Sequence, residues 1–126
     1  MAERKVKITY RGWPGHFICV SRCLFRLNTL IECGRRRVVV SSVGMMRDEK
    51  GEYETIGIGR HYETMAFWAY RNGEFWDADV SKQIPFDAKW AWPNIEDEAK
   101  AQAGHETVVA EIAGKLEREE RFGTRR

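Results

Sequence analysis

Apolar and polar residues alternate with a period of two over much of the first 80 positions and change to a helical spacing near the C-terminus, the pattern of strands followed by a helix. Lys5–Tyr10 puts Val6, Ile8 and Tyr10 on one face and is predicted to be the first strand. Arg11-Gly-Trp-Pro-Gly15 reads as a turn, since Pro14 and two glycines interrupt regular structure. His16–Val20 is expected to be a short strand and Cys23–Glu32 a third. Gly34-Arg35 then has the form of a two-residue hairpin loop leading into Arg37–Val43. In that register Ile31 faces Val38, Thr29 faces Val40 and Glu32 faces Arg37. Leu27, Thr29, Ile31, Val38 and Val40 would form an apolar side. Arg26, Asn28, Glu32, Arg37 and Ser41 would form the other, relieved only by Leu30 and Val39, and this second side is expected to face water.

Asp48–Glu52 is a polar turn and Tyr53–Ile58 another expected strand, with Gly57 and Gly59 marking a bulge or a close backbone approach. Tyr62–Arg71 and Glu74–Val80 flank Asn72-Gly73, a strong hairpin signal. A turn centred there pairs Tyr70 with Phe75 and Ala69 with Trp76. Met65, Phe67, Ala69, Trp76, Ala78 and Val80 would then be the core face. The opposite face mixes Thr64, Trp68, Tyr70 and Phe75 with Asp77 and Asp79. It is expected to pack under the C-terminal helix, a partner subunit or a ligand.

Lys82–Trp92 reads as irregular, punctuated by Pro85 and Pro93. Asn94 is a good N-cap with Asp97 at the third helical position, as in a capping box. The spacing predicts a helix over 94–121, with Val108, Val109, Ile112 and Leu116 on one face and His105 one turn earlier. Gly104 is the expected site of a kink, or of a division into two helices, and 122–126 is an expected flexible tail. A helix of ~27 residues is ~40 Å long, longer than so small a domain, so an overhanging end at a subunit interface is expected. The fold class is therefore α+β. A single domain over 1–126 holds an antiparallel platform of about five to seven strands (5–92) followed by the helix.

Composition narrows the function classes. No apolar run approaches the ~20 residues of a membrane span, and the charged start, Met1 to Lys5, lacks the apolar stretch of a secretory signal. Three cysteines suit a reducing compartment rather than a disulfide scaffold, so a cytoplasmic location is expected. With 21 basic and 19 acidic residues the chain is nearly balanced, which does not favour nucleic acid as a partner. Five Trp, six Phe and four Tyr are the unusual feature.

Candidate chemistry is sparse. His16, Cys19, Cys23 and Cys33 invite a zinc reading, but zinc sites bring close ligand pairs on turns, and these spacings fall in expected strands. Cysteine in a strand is commonly a small buried hydrophobe. Asp77 and Asp79 share a strand face and suit either a cation, an acid/base pair or simple pairing with lysines and arginines. Arg60-His61-Tyr62-Glu63 sets His61 and Glu63 two apart, as a base and its orienter would be, or as an ordinary polar start to a strand. No nucleophile elbow, phosphate-binding loop or dinucleotide fingerprint is present. No catalytic residue, metal or cofactor is therefore expected. The arginines and aromatics are more suggestive, because guanidinium forks hold phosphate and ring faces stack on bases. Arg26, Arg60, Trp68, Phe86, Trp90, Trp92 and Asn94 surround or lead into the helix start, itself an anion-favouring position.

The stretches Ile8-Thr-Tyr-Arg-Gly-Trp-Pro-Gly-His-Phe17, Phe25-Arg-Leu-Asn-Thr-Leu30, Gly59-Arg-His-Tyr-Glu-Thr-Met-Ala66 and Trp76-Asp-Ala-Asp-Val80 resemble the phage Thoeris anti-defence proteins of the first type. These are small sponges for cyclic ADP-ribose isomers made by bacterial TIR-domain enzymes. The resemblance implies a homodimer or higher oligomer in the cytoplasm of an infected bacterium. Its ligand would lie between one subunit's sheet and another's helical end. It further implies an Arg, a Phe and an Asn in that chain order, which Arg60, Phe86 and Asn94 satisfy, and arginines on the C-terminal helix. Here only Arg118 and Arg121 are available, both at the far end, which is a departure from the pattern. The expected ligand-binding set is Arg26, Arg60, His61, Phe86, Trp90, Asn94, Arg118 and Arg121, serving non-enzymatic sequestration. The rivals are a protein inhibitor of a host defence enzyme, using its aromatic face, and a small nucleotide hydrolase using His61, Glu63 or the Asp77/Asp79 pair.

Overall fold

The computed structural model describes residues 5–12, 14–16 and 20–118. Among them, β1 (Lys7–Tyr10), β2 (Cys23–Cys33), β3 (Arg36–Arg47), β4 (Tyr53–Glu54), β5 (Tyr62–Asn72), β6 (Phe75–Ile84) and β7 (Ala91–Trp92) form one antiparallel sheet. A 3₁₀ turn at Ile95–Asp97 then leads into α1 (Glu98–Glu117). The order across the sheet is β1-β2-β3-β5-β6, with β4 on β3 and β7 on β5. The chain is thus α+β, a sheet platform followed by one long helix.

The first hairpin forms as its sequence dictates. Cys33 pairs with Arg36 around Gly34-Arg35, and Ile31–Val38, Thr29–Val40 and Glu32–Arg37 lie opposite one another. Ile31, Val38 and Val40 join Ala66 and Ile84 beneath Val108, Val109, Ile112 and Leu116 of α1. Val6, Ile8 and Tyr10 share a face as expected, since Ile8 pairs with Ile31 and Tyr10 with Thr29, and the Tyr10 hydroxyl donates to Glu106 of α1 (3.0 Å).

The second side of this sheet is not wet. Asn28, Leu30, Val39 and Ser41 are all buried, because the N-terminal segment folds across them. Asn28 Nδ2 donates to the Pro14 carbonyl (3.1 Å), and His16 rests on Ser41. Arg11 donates from Nε to Asn28 Oδ1 (2.8 Å) and from Nη1 to the Trp76 carbonyl (2.6 Å). The sheet therefore curls enough to bring β2 and β6 within one side chain's reach. Sheets covered on both faces lose clean alternation, so Ala66 and Phe67, successive residues of β5, are both buried.

The β5–β6 hairpin turns at Gly73-Glu74, not at Asn72-Gly73: Asn72 pairs with Phe75, Arg71 with Trp76 and Ala69 with Ala78. Parity survives, so Ala69, Trp76 and Ala78 still share a face. That arrangement ends at a bulge, beyond which Phe67 pairs with Gln83 and Ala66 with Ile84. Single Trp68 thus stands opposite residues 79–82, where Asp79 Oδ1 accepts from the Ser81 amide (3.1 Å) and hydroxyl (2.6 Å). A bulged edge of this kind resists pairing with another strand. The bulge also overturns the assignment of Val80 to the core, since it is exposed. Thr64 and Trp68 pack on the helix side, while Tyr70 and Phe75 keep partial exposure.

Further expectations are corrected. Val20 belongs to a 3₁₀ turn, Val20–Arg22, rather than a strand, and residues 17–19 lie outside the described set. The strand expected over Tyr53–Ile58 stops at Glu54. Lys82–Trp92 holds the end of β6 and all of β7. The helix, in turn, runs unbroken through Gly104. Gly104 is there for contact: a Cβ on it would fall 2.2 Å from Cζ2 of the buried Trp92 ring. The Asp97 carboxylate accepts from the Asn94 amide (3.3 Å) and the Asn94 side chain faces the Asp97 amide in return, so the expected capping box forms. Buried residues run from Ala101 to Leu116, so the apolar stripe of α1 is spent on its own sheet and the overhang expected from length does not occur over 98–117.

Candidate functional site

Beside β5 the edge partner changes. Ala66 pairs with Ile84 at the end of β6, whereas Glu63 pairs with Ala91 of β7. Between these contacts the Thr64 amide donates to the Trp90 carbonyl (2.8 Å), and the chain from Pro85 to Trp90 bows outward. The gap is a cleft of about 210 Å³ lined by Thr64, Met65, Gln83, Ile84, Pro85, Phe86 and Trp90. The loop is pinned from behind, because the Glu111 carboxylate of α1 accepts from the amides of Asp87 (2.8 Å) and Ala88 (3.0 Å).

Trp90, 44% exposed, stands at the cleft's rim, and the Arg60 guanidinium lies 5.2 Å from its ring centroid. Such a pair is a cation–π contact. Arg60 reaches this position by passing over Gly57, where a Cβ would lie 2.6 Å from the guanidinium carbon. Its Nε donates to Glu63 Oε1 (3.2 Å). The other carboxylate oxygen, Oε2, lies 2.9 Å from His16 Nε2, and His16 Nδ1 lies 2.8 Å from Ser41 Oγ. A polar relay thus runs Ser41–His16–Glu63–Arg60 to the ring of Trp90. Burial pushes Glu63 up, but the hydrogen bonds and positive charge of His16 and Arg60 outweigh it and hold the carboxyl below its usual range.

The hydroxyl, imidazole and carboxylate of this relay have the composition of a hydrolytic triad. Ser41, however, is fully buried, and its Oγ also accepts the His16 amide (3.1 Å). It cannot reach a substrate carbonyl, so the array anchors the N-terminal segment. A second such cluster lies on the helix side. His105 Nε2 meets Thr29 Oγ1 (2.8 Å), its Nδ1 meets Ser42 Oγ (2.7 Å), and Ser42 in turn meets Thr64. Burial lowers His105 to about 4, which keeps the ring neutral.

Of the residues expected to bind ligand, Arg60, Phe86 and Trp90 are brought together at the cleft. His61 and Asn94 sit at the adjacent helix start, where His61 Nδ1–H donates to the Pro93 carbonyl (2.7 Å). Arg26 pairs with Val43 in β2–β3, two strands away from β5. Arg118 caps the C-terminal end of α1, near the Gly34-Arg35 hairpin, and Arg121 lies outside the described residues. Glu63 does not orient His61, since it is turned to His16 and Arg60. Asp77 accepts from the Ala78 amide within regular pairing, and Asp79 accepts from Ser81 and faces Lys82 (3.9 Å) in the β6 bulge. Cys23 packs with Val43, Met46 and Ile56, whereas Cys33 belongs to the helix-side core. The two are not gathered with His16, and Cys19 is outside the described residues. His16 and Glu63 were missed as partners because 47 residues separate them and neither carries a local signal.

Among the described residues no helix is long and apolar enough to cross a membrane. No family model, curated protein or solved structure matches this chain.

Proposed function

We propose that this chain binds and sequesters a small anionic molecule of the nucleotide class without turning it over, at the cleft between β5 and the 85–90 loop. The observation that carries this reading is the Arg60 guanidinium held over the half-exposed Trp90 ring at the rim of a cleft containing Phe86. A planar base stacks on such rings and a phosphate takes the guanidinium's free edge. Glu63 keeps Arg60 from swinging into solvent, so the site is pre-organised, which favours affinity.

Size refines the ligand. About 210 Å³ is smaller than the ~300–1,000 Å³ of pockets that enclose a whole small molecule. The cleft takes one ring or one phosphate-bearing end, and the remainder of the ligand lies along the surface toward His61 and Asn94. The resemblance to the Thoeris anti-defence sponges makes cyclic ADP-ribose isomers the first compounds to test, in an assembly through a second copy of the chain. Calorimetry against these isomers, ADP-ribose and cyclic dinucleotides should give micromolar or tighter binding that quenches Trp90 fluorescence and is lost in Arg60→Ala. Heating the complex should return the ligand unchanged. Absence of heat from the folded protein with every compound would end the nucleotide reading, and recovery of hydrolysed products would replace sequestration by catalysis.

A further inference from the structure

We infer that His16 is a positioning residue of the cleft: by holding one oxygen of Glu63 it keeps that carboxylate from closing a two-bond fork on Arg60, and so leaves the guanidinium an edge for a phosphate. The inference rests on the reading of the cleft as an anion site and adds to it the N-terminal segment. That segment lies on the sheet face away from α1, since His16 meets Ser41 while α1 meets the neighbouring Ser42. Carboxylate and guanidinium commonly pair through two parallel bonds. Here Glu63 divides its oxygens between two partners. Oε1 accepts from Arg60 Nε (3.2 Å), and Oε2 lies 2.9 Å from His16 Nε2. Arg60 Nη1 reaches the Ile58 carbonyl (3.5 Å), and Nη2 has no hydrogen-bond partner among the described residues.

Exposure separates the roles. The Arg60 side chain is 27% exposed, against 5% for His16 and 6% for Glu63. Only Arg60 can touch a ligand, so His16 acts through Glu63. The imidazole is itself fixed: Nδ1 lies 2.8 Å from Ser41 Oγ, the His16 amide donates to the same oxygen (3.1 Å), and the ring lies 5.5 Å from that of Phe67. Withdrawing it would leave Oε2 as unpaired buried charge, a costly state. The cation already in contact with Glu63 is Arg60, and a second bond, from Nη2, relieves that charge at the expense of the edge a phosphate would use. Docking of the N-terminal segment and filling of the cleft are thus linked, and such linkage is reciprocal.

The test follows the nitrogen-15 signals of the Arg60 side chain in the full chain, with inorganic pyrophosphate as the probe. In the wild-type protein Nε–H should be protected and the Nη protons averaged by rotation. His16→Asn is too short to reach Glu63 but keeps a polar group for Ser41, and His16→Phe keeps a ring against Phe67 without either hydrogen bond. Both should show resolved, slowly exchanging Nη2 protons before any probe is added. Both should then bind pyrophosphate roughly 10- to 100-fold more weakly, as loss of one charge-assisted hydrogen bond implies. His16→Gln, whose amide can still donate to Glu63, should retain the wild-type signals and affinity. Averaged Nη protons in whichever of the Asn and Phe variants folds, or a folded Gln variant that behaves like them, would overturn the inference. Resolved Nη2 protons in those variants, together with a wild-type chain that takes up no pyrophosphate, would remove the anion site and leave the positioning role standing.

Discussion

Ser41 and Ser42, neighbours on β3, point to opposite faces of the sheet, and each meets a histidine ring nitrogen: Ser41 Oγ lies 2.8 Å from His16 Nδ1 and Ser42 Oγ 2.7 Å from His105 Nδ1. One strand thus anchors the N-terminal segment on one side and the helix on the other. Both contacts join segments far apart in sequence.

Burial holds His105 near 4 in the folded state, against ~6.5 when unfolded. A lowered histidine binds its proton more readily in the unfolded chain, so its contribution is complete above about pH 6.5 and is lost as pH falls toward 4. Stability measured by urea unfolding should drop by ~2 kcal/mol between pH 7 and pH 5 from this group. His105→Gln should flatten that limb, and an equal slope in the variant would refute the assignment.

Glu63 is shifted in the same direction, but against burial, which the hydrogen bonds and charge of His16 and Arg60 outweigh. Its folded pKa is depressed, so its stabilisation is present above the unfolded value of ~4.5 and is lost as pH falls through the lower folded value. Glu63→Gln should cost ~3 kcal/mol at pH 7, since removing one partner leaves buried charge unpaired, and should lose less stability on acidification below pH 4.5. Thermal unfolding of both proteins across pH 2–7 decides this.

Gly104→Ala improves intrinsic helix propensity by ~1 kcal/mol, yet the added methyl would meet Trp92 at 2.2 Å. Overpacking a rigid core costs ~1–3 kcal/mol. We expect the variant to be less stable by ~1–2 kcal/mol in denaturant titration; a gain would show that the Trp92 ring yields freely.

Glu111→Ala removes the acceptor of the Asp87 and Ala88 amides. Amide exchange over 85–90 should accelerate at least tenfold while the β2–β3 amides stay protected, at a cost of ~1–2 kcal/mol. Ligand affinity at the cleft should fall with it, as the loop carrying Phe86 and Trp90 loses its anchor.

The exposed rings and charges illustrate what a sequence can and cannot place. Arg60, Phe86 and Trp90 were identified as types suited to a nucleotide and do meet at one cleft. Arg26 and Arg118 fitted the same chemistry but stand elsewhere, because chain order carries no distance.

The sequence alone determined the α+β class, the Gly34-Arg35 hairpin with its register, the Asp48–Glu52 turn and the helix over Val108 to Leu116. Each depends on residues within a few positions of one another, where periodicity and turn chemistry act. Tertiary structure alone decided that the second face of the sheet is covered, that β6 bulges opposite Trp68, that Gly104 makes room for Trp92 and that Glu63 turns to His16. These are contacts between segments up to 65 residues apart, fixed by how the whole chain excludes water, and no local pattern encodes them.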